Sequence, residues 1–210
     1  MSESAPTAFE RCVQAGGLVV FPADTVYGIA CDAERRIAVQ RLYQLKRRAM
    51  EKPSAVMFFA LERALAALPE LGPRTRSALR RVLPGRVGVL LPNPQRRFPL
   101  ACGADPGTLG LRVPTVDLLA GVRRPVLQSS ANCAGGTDPR RLQDVPELIR
   151  AGADLVLDGG ELPGTPSTVV DLRQFENAGT WTVIRPGAVG ERELDAALGP
   201  QSPLDPTTGG

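Results

Sequence analysis

The sequence predicts an α/β fold in which helices flank a twisted sheet of mixed strand direction. Short apolar runs, bounded by Gly, Pro or polar residues, recur along the chain with helical patterns between them. The strand patterns are irregularly spaced and crowd together late in the chain, which favours a mixed sheet over a strictly parallel one. With 210 residues, 43% of them hydrophobic, we expect one domain over residues 1–199 and a disordered, Pro-, Gly- and Thr-rich tail over 200–210.

The expected elements follow from local signals. Pro22 stops a first strand, Gly16-Gly17 and Pro84-Gly85 end helices, and a 3.6-residue apolar period marks a helix over Ala33–Arg48. The predicted strands are Leu18–Phe21, Ser54–Phe59, Val87–Leu91, Leu109–Val113, Val126–Leu127, Leu155–Leu157, Thr168–Val170 and Thr182–Ile184. The predicted helices are Ala8–Ala15, Ala33–Arg48, Leu61–Leu68, Pro73–Leu83, one starting at Val116, Arg140–Arg150 and Glu191–Leu198.

The composition excludes several classes of function. The chain contains no histidine, and its four cysteines are far apart with no CxxC pair. A Ser-His or Cys-His catalytic pair is therefore excluded, and a zinc site is disfavoured. The net charge of +3 gives little support to a nucleic-acid partner. The sequence has neither an apolar run of about 18 residues nor a signal-peptide pattern, so we expect a cytoplasmic protein without a membrane partner.

Polar side chains gather where predicted strands end, which is where α/β folds bind ligands. Asp24 and Thr25 follow the first strand, and the segments Thr108–Arg112, Ser129–Asn132 and Gly164–Thr168 belong to later ones. Four cations crowd the end of the second helix: Lys46, Arg47, Arg48 and Lys52. Such a cluster is typical either of a solvated helix end or of a site that faces an anion. Neither GxxxxGK[ST] nor GxGxxG is present, so a nucleotide would bind through neither of those loops.

Six segments in a fixed order carry a family resemblance. FPADTVYGIACDA and LKRRAMEKP are followed by TLGLRVP, SSAN, PSTVVD and IRPGAV. In this order they resemble the YrdC family of threonylcarbamoyl-AMP synthases over residues 8–190. The resemblance implies a YrdC-like α/β domain around a concave, positively charged cavity. It also implies a nucleotidyltransferase that uses ATP with Mg²⁺, bicarbonate and L-threonine, and releases pyrophosphate and threonylcarbamoyl-adenylate for the N6-threonylcarbamoyl modification of adenosine 37 in tRNA.

The resemblance also assigns roles to residues. Lys46 and Arg48 correspond to the family's catalytic KxR element. ATP would contact Lys46, Arg48, Lys52, Thr108, Ser130, Asn132, Asp138 and Arg185. L-threonine would contact Thr25, Arg112, Gln128 and Ser167. No protein ligand for a metal is implied, because Mg²⁺ would enter with ATP. The partners expected from the resemblance are these substrates, a downstream transferase complex that makes the tRNA modification and a possible RNA contact.

Elementary chemistry is compatible with these roles. A carbamate that attacks the α-phosphorus of ATP requires alignment and neutralisation of the leaving pyrophosphate, which Lys, Arg and Mg²⁺ can supply without histidine. The chain departs from the family pattern at Ala23, where Thr is usual, at Arg47, where Gly is common, and at Gln128 and Asp138. Two alternatives stay open: a carbamoyltransferase of the same fold that handles carbamoyl-adenylate, and a non-catalytic RNA-binding module.

Overall fold

A computed structural model describes residues 3–200, and within that range the chain forms one sheet of nine strands with helices around it. The strands are β1 (Val19–Pro22), β2 (Tyr27–Asp32), β3 (Ala55–Met57), β4 (Val87–Pro92), β5 (Thr108–Arg112), β6 (Val126–Ser130), β7 (Leu155–Val156), β8 (Thr168–Asp171) and β9 (Thr182–Arg185). The helices are α1 (Ala5–Ala15), α2 (Arg36–Leu45), α3 (Leu61–Ala67), α4 (Pro73–Val82), α5 (Glu147–Gly152), α6 (Phe175–Ala178) and α7 (Glu191–Leu198), with 3₁₀ turns at Asp117–Leu119 and Leu142–Asp144.

The strand directions confirm the expected mixed sheet. The spatial order is β7-β1-β2-β6-β3-β5-β4-β8-β9. The pairs β1–β2, β2–β6, β3–β6, β4–β5 and β8–β9 are antiparallel. The pairs β1–β7, β3–β5 and β4–β8 are parallel. The central strands β6, β3, β5 and β4 therefore come from distant parts of the chain.

The helices are short. In the described range α1 is the longest, with 11 residues, and it ends at Gly16 in the left-handed conformation, as the Gly16-Gly17 pair predicts. None of the helices between residues 3 and 200 combines the length and the apolar character that crossing a membrane requires. Apart from Pro200, the tail expected to be disordered lies outside the described residues and stays a prediction.

The two faces of the sheet pack differently. On one face, side chains such as Val56 and Leu111 join the larger hydrophobic cluster, which α2, α4 and α7 cover. On the other face, the ring of Phe9 lies edge-on at 5.5 Å from Phe21 and 5.4 Å from Phe59, within a smaller cluster. The smaller cluster occupies only the part of this face that lies near α1. The rest of the face carries the polar residues of the site.

One strand escapes detection in the sequence. The segment Tyr27–Asp32, for which the sequence predicts no strand, is β2 and pairs with β1 and β6. Five of its six residues are buried, so it lacks the alternation of apolar and polar residues that marks a half-exposed strand. Pro22, expected to stop the first strand, is its last residue and lies opposite Tyr27.

The long helix predicted over Arg140–Arg150 is wrong. The structure has a 3₁₀ turn at Leu142–Asp144 and then the short helix α5, which begins after Pro146. A proline inside a helix removes a backbone donor and disfavours the α conformation of the residue before it. Asp144 instead caps the turn, because its Oδ2 accepts a hydrogen bond of 2.9 Å from the Arg141 amide.

Tyr27 is a structural aromatic at the start of β2. Its ring is fully buried, and its hydroxyl lies 2.8 Å from Asp158 Oδ1 and accepts a hydrogen bond of 2.9 Å from the Gly159 amide. Burial, opposed by the Gly159 amide, raises the pKa of Tyr27 to about 12. This hydroxyl attaches the loop that leads from β7 towards β8 to the start of β2.

Backbone segments at the start of β8 approach one another closely. A Cβ atom added to Gly187 would lie 2.3 Å from the Pro166 carbonyl oxygen and 2.6 Å from the Ser167 carbonyl carbon. The Ala188 amide donates to the same Pro166 oxygen at 2.9 Å. Gly187, which follows β9, therefore fixes the position of Ser167.

We expect Gly187→Ala to lower the free energy of unfolding by about 1–3 kcal/mol, because both neighbouring atoms belong to the backbone and cannot swing away. Gly88→Ala is the matched control: its added methyl group would meet Arg112 Cγ at 3.6 Å, an ordinary contact. Urea unfolding of both variants measures the difference. Equal stability of the two variants would contradict the close approach.

Candidate active site

The register of the central strands leaves one face of the sheet open. Gly88 of β4 lies opposite Arg112 of β5, and Gly110 of β5 lies opposite Ala55 of β3. Because Gly110 has no side chain, this position leaves the sheet uncovered, and a Cβ atom added there would lie 3.5 Å from the Ala55 Cα atom. These small residues form the floor of a cavity of about 460 Å³.

The cavity brings together side chains that are far apart in the sequence. Its wall includes four arginines and two aspartates among hydroxyl, amide and apolar groups. Nine of the twelve predicted site residues line it: Thr25, Arg48, Thr108, Arg112, Gln128, Ser130, Asp138, Ser167 and Arg185. The other three, Lys46, Lys52 and Asn132, lie outside this lining set. Whether the nine contact ATP or threonine stays a prediction.

Lys46 lies beneath the cavity wall and is not part of a solvated helix end. Its residue is 1% exposed, and its ammonium donates to the Ser130 carbonyl, to the Asn132 carbonyl at 2.6 Å and to Asn132 Oδ1 at 3.0 Å. Burial, and secondly the neighbouring charge of Arg48, lowers the pKa of Lys46 to about 8, while Asp138 opposes the shift. The cation therefore joins the end of α2 to the loop after β6.

The three other cations of this cluster, Arg47, Arg48 and Lys52, have different surroundings from Lys46. Arg48 reaches the cavity, and its Nη2 donates to the Pro53 carbonyl at 2.7 Å. Within residues 3–200 its Nε atom is buried without a hydrogen-bond partner. Lys52 is exposed on the loop that leads to β3. Arg47 adopts a left-handed φ of 50°, a conformation that glycine adopts without strain. This explains why glycine is common at this position in the family that the sequence resembles.

Asn132 organises the loop after β6. Its side-chain amide nitrogen donates to the Gly136 carbonyl at 2.7 Å and to Asp138 Oδ1 at 3.1 Å. Its Oδ1 accepts from the Ser130 hydroxyl at 2.8 Å as well as from Lys46. Asn132 therefore supports the lining residues Ser130 and Asp138. Its contact with a nucleotide stays a prediction.

At the other end of the cavity, Arg112 forms a buried ion pair with Asp24. Its Nη2 donates to Asp24 Oδ1 at 2.6 Å, and the two side chains are 8% and 5% exposed. In the described part of the chain, Arg112 Nε, Asp24 Oδ2 and the Thr25 hydroxyl are buried without hydrogen-bond partners. A buried polar atom without a hydrogen-bond partner costs free energy. A polar ligand that supplied the missing partner would recover this cost.

Arg185 also lines the cavity wall. Its Nη2 donates to the Ser167 carbonyl at 2.8 Å and lies 3.4 Å from the Ser167 hydroxyl. Partial desolvation lowers the pKa of Arg185, and the charge of Arg112 adds to this effect, while Asp138 opposes it. The three charged groups are thus close enough to interact.

Sequence reasoning missed two contributors. Asp24 was recognised only as part of a polar turn, because nothing in the sequence shows that it pairs with a residue 88 positions away. Arg173 lines the cavity beyond the end of β8, where Asp171 holds its guanidinium through Nε at 3.0 Å and Nη2 at 2.6 Å. Its Nη1 lies 3.4 Å from the Thr108 hydroxyl. The Asp-Leu-Arg segment after STVV was the only available signal.

The arrangement is suited to binding two anionic groups side by side. Arg48 and Arg185 can neutralise phosphate oxygens, and Arg112 can bind a carboxylate through its remaining N–H groups. Among residues 3–200 no group of three or more His, Cys, Asp or Glu residues has the arrangement of a metal site.

The buried ammonium predicts how stability depends on pH. Because the folded pKa of Lys46, about 8, lies below its ordinary value of 10.5, the unfolded chain binds more protons between these two pH values. Raising the pH through this window should therefore stabilise the folded wild type relative to Lys46→Met. Urea unfolding at intervals from pH 7 to pH 10 measures the difference.

Lys52→Met, at an exposed lysine of the same cluster, provides the background for this comparison. The prediction would be contradicted if the free energy of unfolding of the wild type, minus that of Lys46→Met, stays constant or falls as the pH rises.

Comparisons with known proteins identify the family of the chain. The Sua5/YciO/YrdC family model, described as "Telomere recombination", matches residues 11–187. The threonylcarbamoyl-AMP synthase of Stutzerimonas stutzeri is 33% identical over 181 residues, which cover 84% of this chain and 94% of that protein. The threonylcarbamoyl-AMP synthase of Pyrococcus abyssi is 27% identical over 192 residues, which cover 89% of this chain but only 55% of that protein.

A solved structure shows the same fold. The crystal structure of P. abyssi Sua5 complexed with L-threonine aligns with a TM-score of 0.81 and 26% identity, covering 93% of this chain and 57% of that chain. The chain thus spans little more than half of the archaeal relative and nearly all of the bacterial one. On the extent of the family match and the similarity to both relatives, the chain belongs to the Sua5/YciO/YrdC family.

Proposed function

We propose that the protein is a threonylcarbamoyl-AMP synthase. L-threonine and bicarbonate would condense to the carbamate with loss of water, and a carbamate oxygen would then attack the α-phosphorus of ATP and displace pyrophosphate. The observation that carries this proposal is the convergence of Arg48, Arg112 and Arg185 on one cavity, although 137 positions separate the first from the last. Relatives that carry this enzyme name support it.

The phosphate end of the cavity would lie near Arg48 and Arg185. Both guanidinium groups line the wall and could neutralise the charge that develops on the leaving pyrophosphate. Lys46 would add positive charge from beneath the loop after β6. Its ammonium could contact a phosphate directly only by giving up one of its carbonyl partners, of which Asn132 Oδ1, at 3.0 Å, is the most distant.

The remaining ATP contacts follow from position. Ser130, Asp138 and Thr108 line the same wall, whereas Asn132 and Lys52 would act from outside the lining set. Mg²⁺ would enter with the triphosphate, because magnesium commonly keeps its waters and binds through substrate phosphates.

L-threonine would occupy the end of the cavity near Arg112. The guanidinium could donate hydrogen bonds to the substrate carboxylate through the N–H groups that Asp24 leaves free, and the Thr25 hydroxyl could pair with the substrate's own polar groups. Ser167 and Gln128, 3% and 5% exposed, complete this end. In the Sua5/YciO/YrdC family, a product of this kind would serve a transferase complex that modifies adenosine 37 of tRNA, and RNA would be a further partner.

An assay of pyrophosphate release tests the function. We expect release only when ATP, bicarbonate and L-threonine are all present. Release without any dependence on threonine would overturn the proposal, and release with carbamoyl phosphate and ATP alone would indicate a carbamoyltransferase instead.

A pair of adjacent arginines provides a matched control in the same assay. Arg48→Gln should lower kcat/KM for ATP about 10- to 100-fold, because a hydrogen bond to a charged group contributes about 1.5–3 kcal/mol. Arg47→Gln, at an exposed residue outside the lining set, should change it less than about threefold, as distant surface substitutions do. Equal losses in both variants would contradict a role for Arg48 in the cavity.

Replacing the Thr25 hydroxyl should change the binding of L-threonine without lowering the stability of the fold. Thr25→Val removes a buried hydroxyl that lacks a partner in the described structure, so we expect unchanged or slightly higher stability and a KM for L-threonine raised about tenfold. Thr168→Val is the control: its hydroxyl donates to the Val189 carbonyl at 2.7 Å and accepts from the Val189 amide at 3.0 Å. That variant should lose about 1–3 kcal/mol of stability. An unchanged KM for threonine in Thr25→Val would exclude the assigned contact.

A further inference from the structure

The ion pair between Asp24 and Arg112 gives the two ends of the cavity different charges. At one end Asp138 lies near both Lys46 and Arg185, and Arg48 lies near Lys46, so the cations there outnumber this carboxylate. At the other end the Arg112 guanidinium lies 2.6 Å from Asp24, and both side chains are more than nine-tenths buried. Bulk water therefore screens this pair poorly, and Asp24 compensates the charge of Arg112 locally.

Pairing with Asp24 leaves hydrogen-bonding capacity at Arg112. A guanidinium has five N–H donors, and Asp24 Oδ1 is bonded to Nη2. In the part of the chain that the structure describes, Nε is buried without a partner, as is Asp24 Oδ2. Arg112 can thus donate hydrogen bonds to an incoming carboxylate, although its net charge is already balanced.

We propose that Asp24 determines which anion binds at Arg112, an inference that rests on the proposed function. A zwitterionic amino acid carries no net charge, so its carboxylate can bind at Arg112 while its ammonium group offsets the added negative charge beside Asp24. A triphosphate or pyrophosphate carries several negative charges, and Asp24 repels it. ATP is thereby directed to the other end of the cavity, and L-threonine finds its own end free.

Without this carboxylate, Arg112 would be another phosphate site. An unpaired, partly buried guanidinium can bind a phosphate through two parallel hydrogen bonds as readily as it binds a carboxylate. ATP or pyrophosphate could then occupy the threonine end and exclude the amino acid. Asp24 is thus a specificity-determining residue that acts on anion choice through Arg112.

Binding of pyrophosphate tests the proposal without turnover, so its outcome does not depend on whether the protein proves to be the synthase. We expect isothermal titration of the wild type with magnesium-free pyrophosphate to show one site that L-threonine does not compete for. In Asp24→Asn, which keeps an oxygen acceptor and removes the charge, pyrophosphate should gain a second site at least about tenfold tighter than any in the wild type at that end. L-threonine should displace it from this site. Pyrophosphate binding identical to that of the wild type would overturn the proposal.

The single variant Asp24→Asn leaves the buried charge of Arg112 without its carboxylate partner and could unfold the protein for that reason alone. A double variant that removes both charges controls for this effect. Asp24→Asn combined with Arg112→Gln replaces both charges by amides that can hydrogen bond to each other. We expect this variant to bind pyrophosphate within about twofold of the wild type, since Arg112 contributes nothing to phosphate binding while it is paired. A fall of tenfold or more would show that the paired Arg112 already binds phosphate, and would overturn the proposal.

The control pair lies elsewhere on the surface. Arg124 Nη1 is 3.5 Å from Asp32 Oδ2, and neither residue lines the cavity. Asp32→Asn should leave the stoichiometry and affinity of pyrophosphate binding unchanged. A second site in Asp32→Asn as well as in Asp24→Asn would attribute the effect to overall charge and would overturn the role of Asp24.

Discussion

The site depends on the register between the central strands. Pairing β5 with β4 places Arg112 beside Gly88, and pairing it with β3 places Gly110 beside Ala55. Side chains alternate between the two faces of a strand, so the same register sends Leu111 into the hydrophobic cluster on the opposite side. A shift by one residue would bury the arginine in that cluster and expose the leucine to the cavity. The hydrophobic core and the polar site are therefore specified together.

Burying the cations Lys46 and Arg112 costs desolvation free energy, which their hydrogen bonds offset. Lys46 is almost completely buried, yet its ammonium donates to the carbonyl of Ser130 at the end of β6 and to two oxygens of Asn132 in the following loop. Arg112 is buried beside Asp24 with one of its donors unused. A buried cation needs such partners to stay charged, and each of these two organises the backbone segment that supplies its partners. One holds the loop of Ser130 and Asn132, and the other holds the turn that carries Thr25.

These two pairings give the ends of the cavity different properties, although both ends are built from arginines. In the proposed arrangement, the end near Arg48 and Arg185 would carry an excess of positive charge, which suits a polyphosphate. The end near Arg112 is balanced and retains free donors, which suits a zwitterion. A reaction that joins an amino-acid carbamate to a nucleotide requires this separation, because both substrates present anionic groups to the same cavity.

Much of the fold and of the site could be predicted from local sequence, and the failures have physical causes. The strands that end at Pro22 and Pro92 and the helix that ends at Gly16 carry strong signals, because proline and glycine restrict or free the backbone directly. Strand β2 was missed because burial on both faces removes its alternation, and Pro146 interrupts the long helix expected around it.

The sequence by itself determined the α/β class, the mixed sheet and nine of the residues that line the cavity, since apolar periodicity and the order of motifs can be read directly along the chain. Only the tertiary structure decided that Lys46 supports a loop from beneath, that Arg173 reaches the wall and that Asp24 pairs with Arg112. These features depend on which distant strands become neighbours and on how far each side chain is removed from water. Both follow from the packing of the whole chain, so no short segment encodes them.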